Sequence, residues 1–189
     1  MKNNASLKGL LIAIAAFIFA FGIYFLFLAK RNYYVVDNPT ANTFYYKINN
    51  GSEGTIAGGQ TVHVDLNKGK NSIKVFDQNK KLLFDSAFEV NKIRGLINIA
   101  HQDYYINEQY YGYNLKKDSL LLALDKTIID GKAYFGGARR FNKLFTDDFY
   151  YNVDEDYDKV IKNVQKVESR SKIFRKQDYL NYYKEYYKF

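Results

Sequence analysis

A run of 21 residues from Gly9 to Ala29 carries no charge. At about 1.5 Å per residue, a helix of that length would extend roughly 31 Å, the thickness of a bilayer's hydrocarbon core. A cleaved export signal has a shorter apolar region, of about 7 to 15 residues, closed by a small-x-small site. Here the run ends on Phe27-Leu28-Ala29, and the better-shaped Ala20-Phe21-Gly22 lies inside it. The expectation is therefore a transmembrane helix kept as a signal anchor, within an N-terminal segment 1–31. With no cysteine in the chain, an acyl-lipid tether is excluded. A soluble core would need more chain than this one has to surround such a helix on every side. Lys2 and Lys8 on one flank nearly balance Lys30 and Arg31 on the other. Because the amino flank has no acid, the positive-inside tendency favours a cytoplasmic N-terminus. The rest of the chain is then expected on the periplasmic or cell-surface side, with the lipid bilayer as its first partner.

The missing cysteines also remove disulfides, zinc-thiolate sites, cysteine-ligated iron-sulfur clusters and thiol nucleophiles. The net charge of +8 is spread along the chain: residues 68–143 hold 14 basic and 8 acidic side chains, and 154–189 hold 9 and 7. Such mixing describes a solvated surface and no nucleic-acid groove. Nineteen tyrosines stand against one proline. Fourteen of them form seven adjacent pairs, among them Tyr104-Tyr105, Tyr110-Tyr111, Tyr182-Tyr183 and Tyr186-Tyr187. Neighbouring strand residues point to opposite faces, so a pair in a strand gives one ring to the core and one to the surface.

Residues 32–92 read as short strands between turn signals, the spacing of an antiparallel β-sandwich. In "TVHVDL", Val62, Val64 and Leu66 alternate toward the core, with Thr61, His63 and Asp65 on the other face. The stretch 35–76 has Pro39 ahead of the strand "TFYYKI", the turn Ile48-Asn49-Asn50-Gly51, and Leu66-x-x-Gly69-x-Asn71 ahead of Ile73-x-Val75. In these features it resembles the PEGA-type accessory β-domains of bacterial envelope proteins. The resemblance implies an accessory, non-catalytic module and carries no functional residue over. The threonine-proline step that such domains place before the leucine is missing here.

Residues 93–153 are expected to form a β-rich extension, with Asp130-Gly131 as a type I′ hairpin turn. Residues 154–189 look helical. Asp154 is a candidate N-cap for a segment carrying Tyr157, Val160, Ile161, Val164 and Val167. Asp178 could cap a second helix, whose Tyr179, Leu180, Tyr183, Tyr186 and Tyr187 make a broad aromatic face. The expected fold class is thus mainly β: a transmembrane helix, an antiparallel sandwich and a short α-helical appendage.

No reaction centre stands out. His63 lacks the positioned serine and oxyanion hole of a triad, and His101 with Asp103 offers at most two metal ligands. "NVDEDYDK" spaces Asn152, Asp154, Asp156 and Asp158 as calcium loops do, but Lys159 and Gln165 stand where an EF-hand needs glycine and glutamate. Neither a metal nor a cofactor is expected. The expected function is a membrane-anchored, non-catalytic binding or assembly protein of a cell envelope. Its partner is expected to be another envelope protein or membrane complex, with a glycan as a further candidate, docked on Tyr179, Tyr183, Tyr186, Tyr187, Tyr110 and Tyr111. The alternative is an enzyme on glycans or peptidoglycan, with a tyrosine-lined sugar site and separated carboxylates such as Asp147 and Asp154 for acid-base work.

Overall fold

A computed structural model describes residues 5–24, 32–112, 125–159 and 167–187. The chain divides into two units, Met1–Arg31 and Asn32–Phe189. In the first, helix α1 covers Ala5–Ile23. Of the uncharged run it covers Gly9 to Ile23. No helix among the described residues is long and apolar enough to cross a membrane, which corrects the expected transmembrane helix. The end of the run, with Phe27, Lys30 and Arg31, lies outside the described residues.

In the second unit the described strands run in chain order as β1 (Tyr33–Asp37), β2 (Phe44–Ile48), β3 (Glu53–Ile56), β4 (Thr61–Val64), β5 (Gly69–Phe76), β6 (Leu82–Val90) and β7 (Arg94–Asn98). Then come β8 (Tyr104–Tyr111), β9 (Thr127–Ile129), β10 (Lys132–Tyr134), β11 (Arg139–Phe141), β12 (Phe145–Thr146) and β13 (Glu168–Arg175). Helix α2 (Lys176–Tyr187) follows β13 directly. One sheet has the order β12-β7-β1-β4, a second β3-β2-β5-β6, a third β11-β8-β13, and β9 with β10 makes a hairpin.

The first sheet is the middle layer. Tyr34, Val36, Ile97 and Ile99 face the second sheet and pack with Tyr46, Ile56, Ile73 and Val75. Val35 and Leu96 face the other way, against Tyr104, Ile106, Ile173 and Phe149. Burial on both faces explains why "YYVV" is an unbroken apolar run and not an alternating one. It also corrects the expected wholly antiparallel sandwich, because β1 runs antiparallel to β4 but parallel to β7, with Val35 opposite Leu96. β7 lies just beyond residue 92, so the central sheet draws on strands from well separated parts of the chain.

The third sheet is likewise sandwiched. Tyr104 and Ile106 of β8 and Ile173 of β13 point to the first sheet, while Tyr105 and Phe174 point to α2. The pair Tyr104-Tyr105 therefore sends one ring into each of two cores, where one ring was expected at the surface. The expected helix from Asp154 is corrected as well. Asp154 sits in a turn, Val167 is exposed, and Glu168–Arg175 is a strand paired with β8 from Glu168 opposite Tyr111 to Arg175 opposite Tyr104. Val160, Ile161 and Val164 lie outside the described residues. Asp178 falls in the first turn of α2, two residues inside its start at Lys176. Asp130 and Gly131 both have positive φ, 49° and 76°, and link Ile129 to Lys132 in the two-residue turn that a type I′ hairpin requires.

Candidate functional site: a polar cleft at the start of the C-terminal helix

β1 ends in Asp37, a carboxylate with no solvent exposure at the edge of an otherwise apolar strand. Burying such a charge is tolerable only with a paired cation and hydrogen bonds. Both are present. Arg175, the last residue of β13, donates Nε to Asp37 Oδ2 at 2.9 Å and Nη2 to Asp37 Oδ1 at 2.5 Å. The Tyr104 hydroxyl donates to Oδ2 at 2.6 Å and the Thr61 hydroxyl to Oδ1 at 2.5 Å. Arg175 Nη2 also donates to Thr61 Oγ1 at 2.9 Å. Strands of the first and third sheets are thereby fastened at one point. Hydrogen bonding to Asp37 holds the Arg175 guanidinium above its ordinary pKa, and burial, then the Asp37 charge, pushes the Tyr104 hydroxyl far above the usual tyrosine range.

Beside this network lies a polar cleft of about 760 Å³. Its walls come from the segment after β1 (Pro39), the β7–β8 loop (His101 to Asp103), the hairpin turn (Asp130), β11 (Arg140) and the β13–α2 junction (Arg175 to Asp178). The β7–β8 loop is held from beneath by buried Asn98, whose Nδ2 donates to the Gln102 carbonyl at 2.8 Å while its Oδ1 accepts from the Gln102 N–H at 2.9 Å. His101 takes a positive φ of 49° in this loop and sets its ring edge-on to Phe84, with centroids 4.9 Å apart. Two ion pairs line the cleft: Arg140 meets Asp103 at 2.8 Å, and Lys176 meets Asp130 at 2.6 Å. Each hydrogen bond raises the basicity of its cation.

The tyrosines expected to dock a partner are placed differently from one another. Tyr179 is fully buried, stacked on Tyr105 with centroids 5.4 Å apart and edge-on to Phe174. Tyr183 is buried too, and its hydroxyl accepts the Phe135 N–H at 3.0 Å. These two rings cover the chain's own third sheet and hairpin, so they have no face left to give a partner. Tyr111 is buried, with its hydroxyl donating to the Asp158 carbonyl at 2.8 Å. Tyr110 is half-buried beside Glu108, and Tyr186 is half-buried on Tyr182. The Tyr187 ring lies outside the described residues.

The carboxylates considered for acid-base work are also occupied elsewhere. Asp147 accepts the backbone N–H groups of Asn91 and Lys92 at 2.9 and 3.0 Å, closing the turn between β6 and β7. Asp154 accepts the Tyr33 hydroxyl at 2.9 Å and lies 3.5 Å from His63 Nε2. Asp156 faces Lys172, and Asp158 accepts the Tyr151 hydroxyl at 2.6 Å. The alternate acids of "NVDEDYDK" thus turn to different partners, and among the described residues no three His, Asp or Glu side chains gather as a metal would need.

Sequence reading missed Asp37, Thr61, Tyr104, Arg140, Arg175 and Lys176. One signal was available: an aspartate ending the apolar run "YYVVD" must be either a turn residue or a buried charge seeking a cation. Nothing local identifies that cation. Compared with protein-family models, with curated proteins and with solved structures, the chain matches none of them.

Proposed function

We propose that this chain is a non-catalytic binding or assembly protein, and that the cleft at the junction of β13 and α2 receives its partner. The observation that carries this reading is that two of the three carboxylates lining the cleft are paired internally, Asp103 with Arg140 and Asp130 with Lys176, while Asp37 behind the wall holds Arg175, so that Asp178 has no second free carboxylate opposite it. A carboxylate whose oxygen already accepts from a guanidinium or ammonium group is turned away from a substrate's proton or reacting carbon. Glycoside hydrolysis needs two carboxyl groups facing each other across a sugar, about 5 to 10 Å apart. Asp147 and Asp154, the pair offered by the sequence for that role, instead brace a turn and a tyrosine. What the cleft retains is a fixed array of donors and acceptors, which suits recognition of a charged or amide-bearing partner.

The test has two arms, both on the full chain. Peptidoglycan fragments, chitooligosaccharides and unstructured peptides are incubated with the protein and weighed by mass spectrometry; all should stay intact. Cleavage that disappears in Asp178→Asn would contradict the reading. The double variant Arg140→Glu, Lys176→Glu should lower capture of the native partner by about tenfold or more, roughly 1.4 kcal/mol. Its unfolding midpoint should stay unchanged, because both side chains are solvent-exposed at the rim and exposed pairs contribute little to stability.

A further inference from the structure

We infer that the cleft binds a ligand carrying both a free carboxylate and a free ammonium group, an amino acid or a short unblocked peptide, with the carboxylate at Arg175 and the ammonium at Asp178. The inference rests on the binding-protein reading of the same cleft.

Arg175 spends one edge of its guanidinium inward, through Nε and Nη2 on Asp37 and Thr61. Its Nη1, with two N–H donors, has no hydrogen-bond partner among the described residues, and the side chain keeps 23% of its surface exposed on the cleft wall. Because Asp37 is fully buried, the guanidinium cannot swing away without stranding a charge. The free donors are therefore held ready, and little ordering entropy is lost when a ligand meets them. With its bidentate edge spent on Asp37, Arg175 offers a ligand carboxylate the charge-assisted N–H donors of Nη1 alone.

Three residues on, Asp178 lies exposed in the first turn of α2. Of the three carboxylates lining the cleft it is the one without an ion pair among the described residues, since Asp103 has Arg140 and Asp130 has Lys176. Once the internal pairs are counted, the cleft is left with one donor nitrogen, Arg175 Nη1, and one carboxylate. A simple anion at Arg175 would have Asp37 behind it and Asp178 beside it, and a simple cation at Asp178 would face Arg175. A zwitterion satisfies both. The space of about 760 Å³ exceeds what a single amino acid fills and is ample for a di- or tripeptide. Gln102, Asn142 and Gln177 on the walls supply amide donors and acceptors for the peptide backbone between the two ends.

The experiment titrates the full chain with alanine, dialanine and trialanine, and with their N-acetylated and C-amidated forms, by saturation-transfer NMR backed by calorimetry. The unblocked forms should bind, and blocking either end should weaken binding by about tenfold or more. Arg175 is tied into the core, so its arm is read on the ligand, through amidation. Asp178 is exposed, and Asp178→Asn should fold normally, lose affinity for unblocked peptide, and gain no further loss from N-acetylation. Binding by alanine as strong as by the peptides identifies a free amino acid as the source of this chemistry; binding by the peptides alone identifies a peptide end. Equal binding of blocked and unblocked forms, an Asp178→Asn variant that binds like the parent, or no binding at about 10 mM would each overturn the inference. The same spectra report whether the peptide survives. An intact but unbound peptide defeats the zwitterion site alone, whereas a cleaved one defeats the binding-protein reading beneath it.

Discussion

Asp37 and Arg175, 138 residues apart in the chain, are joined by two hydrogen bonds of 2.9 and 2.5 Å, with the carboxylate wholly out of solvent. The contact fastens the last residue of the central strand β1 to the last residue of β13, immediately before α2 begins. It makes the C-terminal segment part of the domain's closure and sets the wall of the cleft.

Removing the cation should be costly. Arg175→Met leaves a buried charge with only two hydroxyl donors, and breaking a buried pair in this way costs about 3–5 kcal/mol. Asp37→Asn should cost less, about 1–3 kcal/mol, because the cation left behind still reaches water. Urea unfolding of both variants and of the double variant gives the coupling energy. A loss below about 1 kcal/mol for Arg175→Met would show that the pair does not hold the sheets together.

The aromatic face of α2 gives a second outcome. Tyr179 fills a core position against Tyr105 and Phe174, so Tyr179→Ala should lower stability by about 3–5 kcal/mol. Tyr183→Phe keeps the ring but loses the acceptor for the Phe135 N–H, a loss of about 1 kcal/mol. Had these rings been docking anchors, both variants would unfold like the parent and lose only partner binding. Thermal and urea melts separate the two cases.

Much of the fold was legible in the sequence because it is local. Period-two alternation, as at Val62, Val64 and Leu66, and a turn dipeptide, as at Asp130-Gly131, each state their structure within a few residues. What stayed hidden is long-range. "ESRSKIFR" has only Ile173 and Phe174 as strong apolar residues, and its strand character comes from pairing with β8 rather than from its own propensity. The parallel union of β1 with β7 is hidden in the same way, since an apolar run buried on both faces does not declare its partner. The cleft is the extreme case, assembled at one place from five separate segments. The α2 tyrosines show the opposite failure: helical periodicity revealed an apolar face but not whether the chain itself would cover it.

Two aromatic rings packed over β7 require a glycine at position 95. A Cβ on Gly95 would lie 2.6 Å from Phe145 Cζ and 3.2 Å from Tyr34 Cδ1. Gly95→Ala should therefore push the Phe145 ring off its stack on Phe88 and cost about 1–3 kcal/mol. A melt unchanged from the parent would mean that the Phe145 ring turns aside freely.

Alkaline pH should unfold the domain sharply. Burial first, and then the Asp158 carboxylate, push the Tyr111 hydroxyl up to about 12. An unfolded tyrosine loses its proton near pH 10, so between these values the native state retains a proton that the unfolded chain has released. Stability from this group is complete below about pH 10 and drains away as the pH rises toward 12. Tyr33, Tyr104 and Tyr151 shift in the same direction, each chiefly by burial and then by a neighbouring carboxylate. Absorbance at 295 nm should show a reversible phase from exposed tyrosines near pH 10 and a later phase coincident with loss of circular dichroism. A single reversible phase for all nineteen tyrosines, with the fold intact, would contradict the burial described here.

The most direct measurement is a backbone-amide NMR titration of the full chain with dialanine, locating the binding site residue by residue while the ligand's integrity is followed in the same sample. Saturable shifts should concentrate at His101 to Asp103, Arg140 to Asn142 and Arg175 to Asp178, with the peptide unaltered at the end. Saturable shifts gathered elsewhere, for instance on the half-buried tyrosines Tyr110 and Tyr186, or a peptide hydrolysed during the titration, would contradict this expectation.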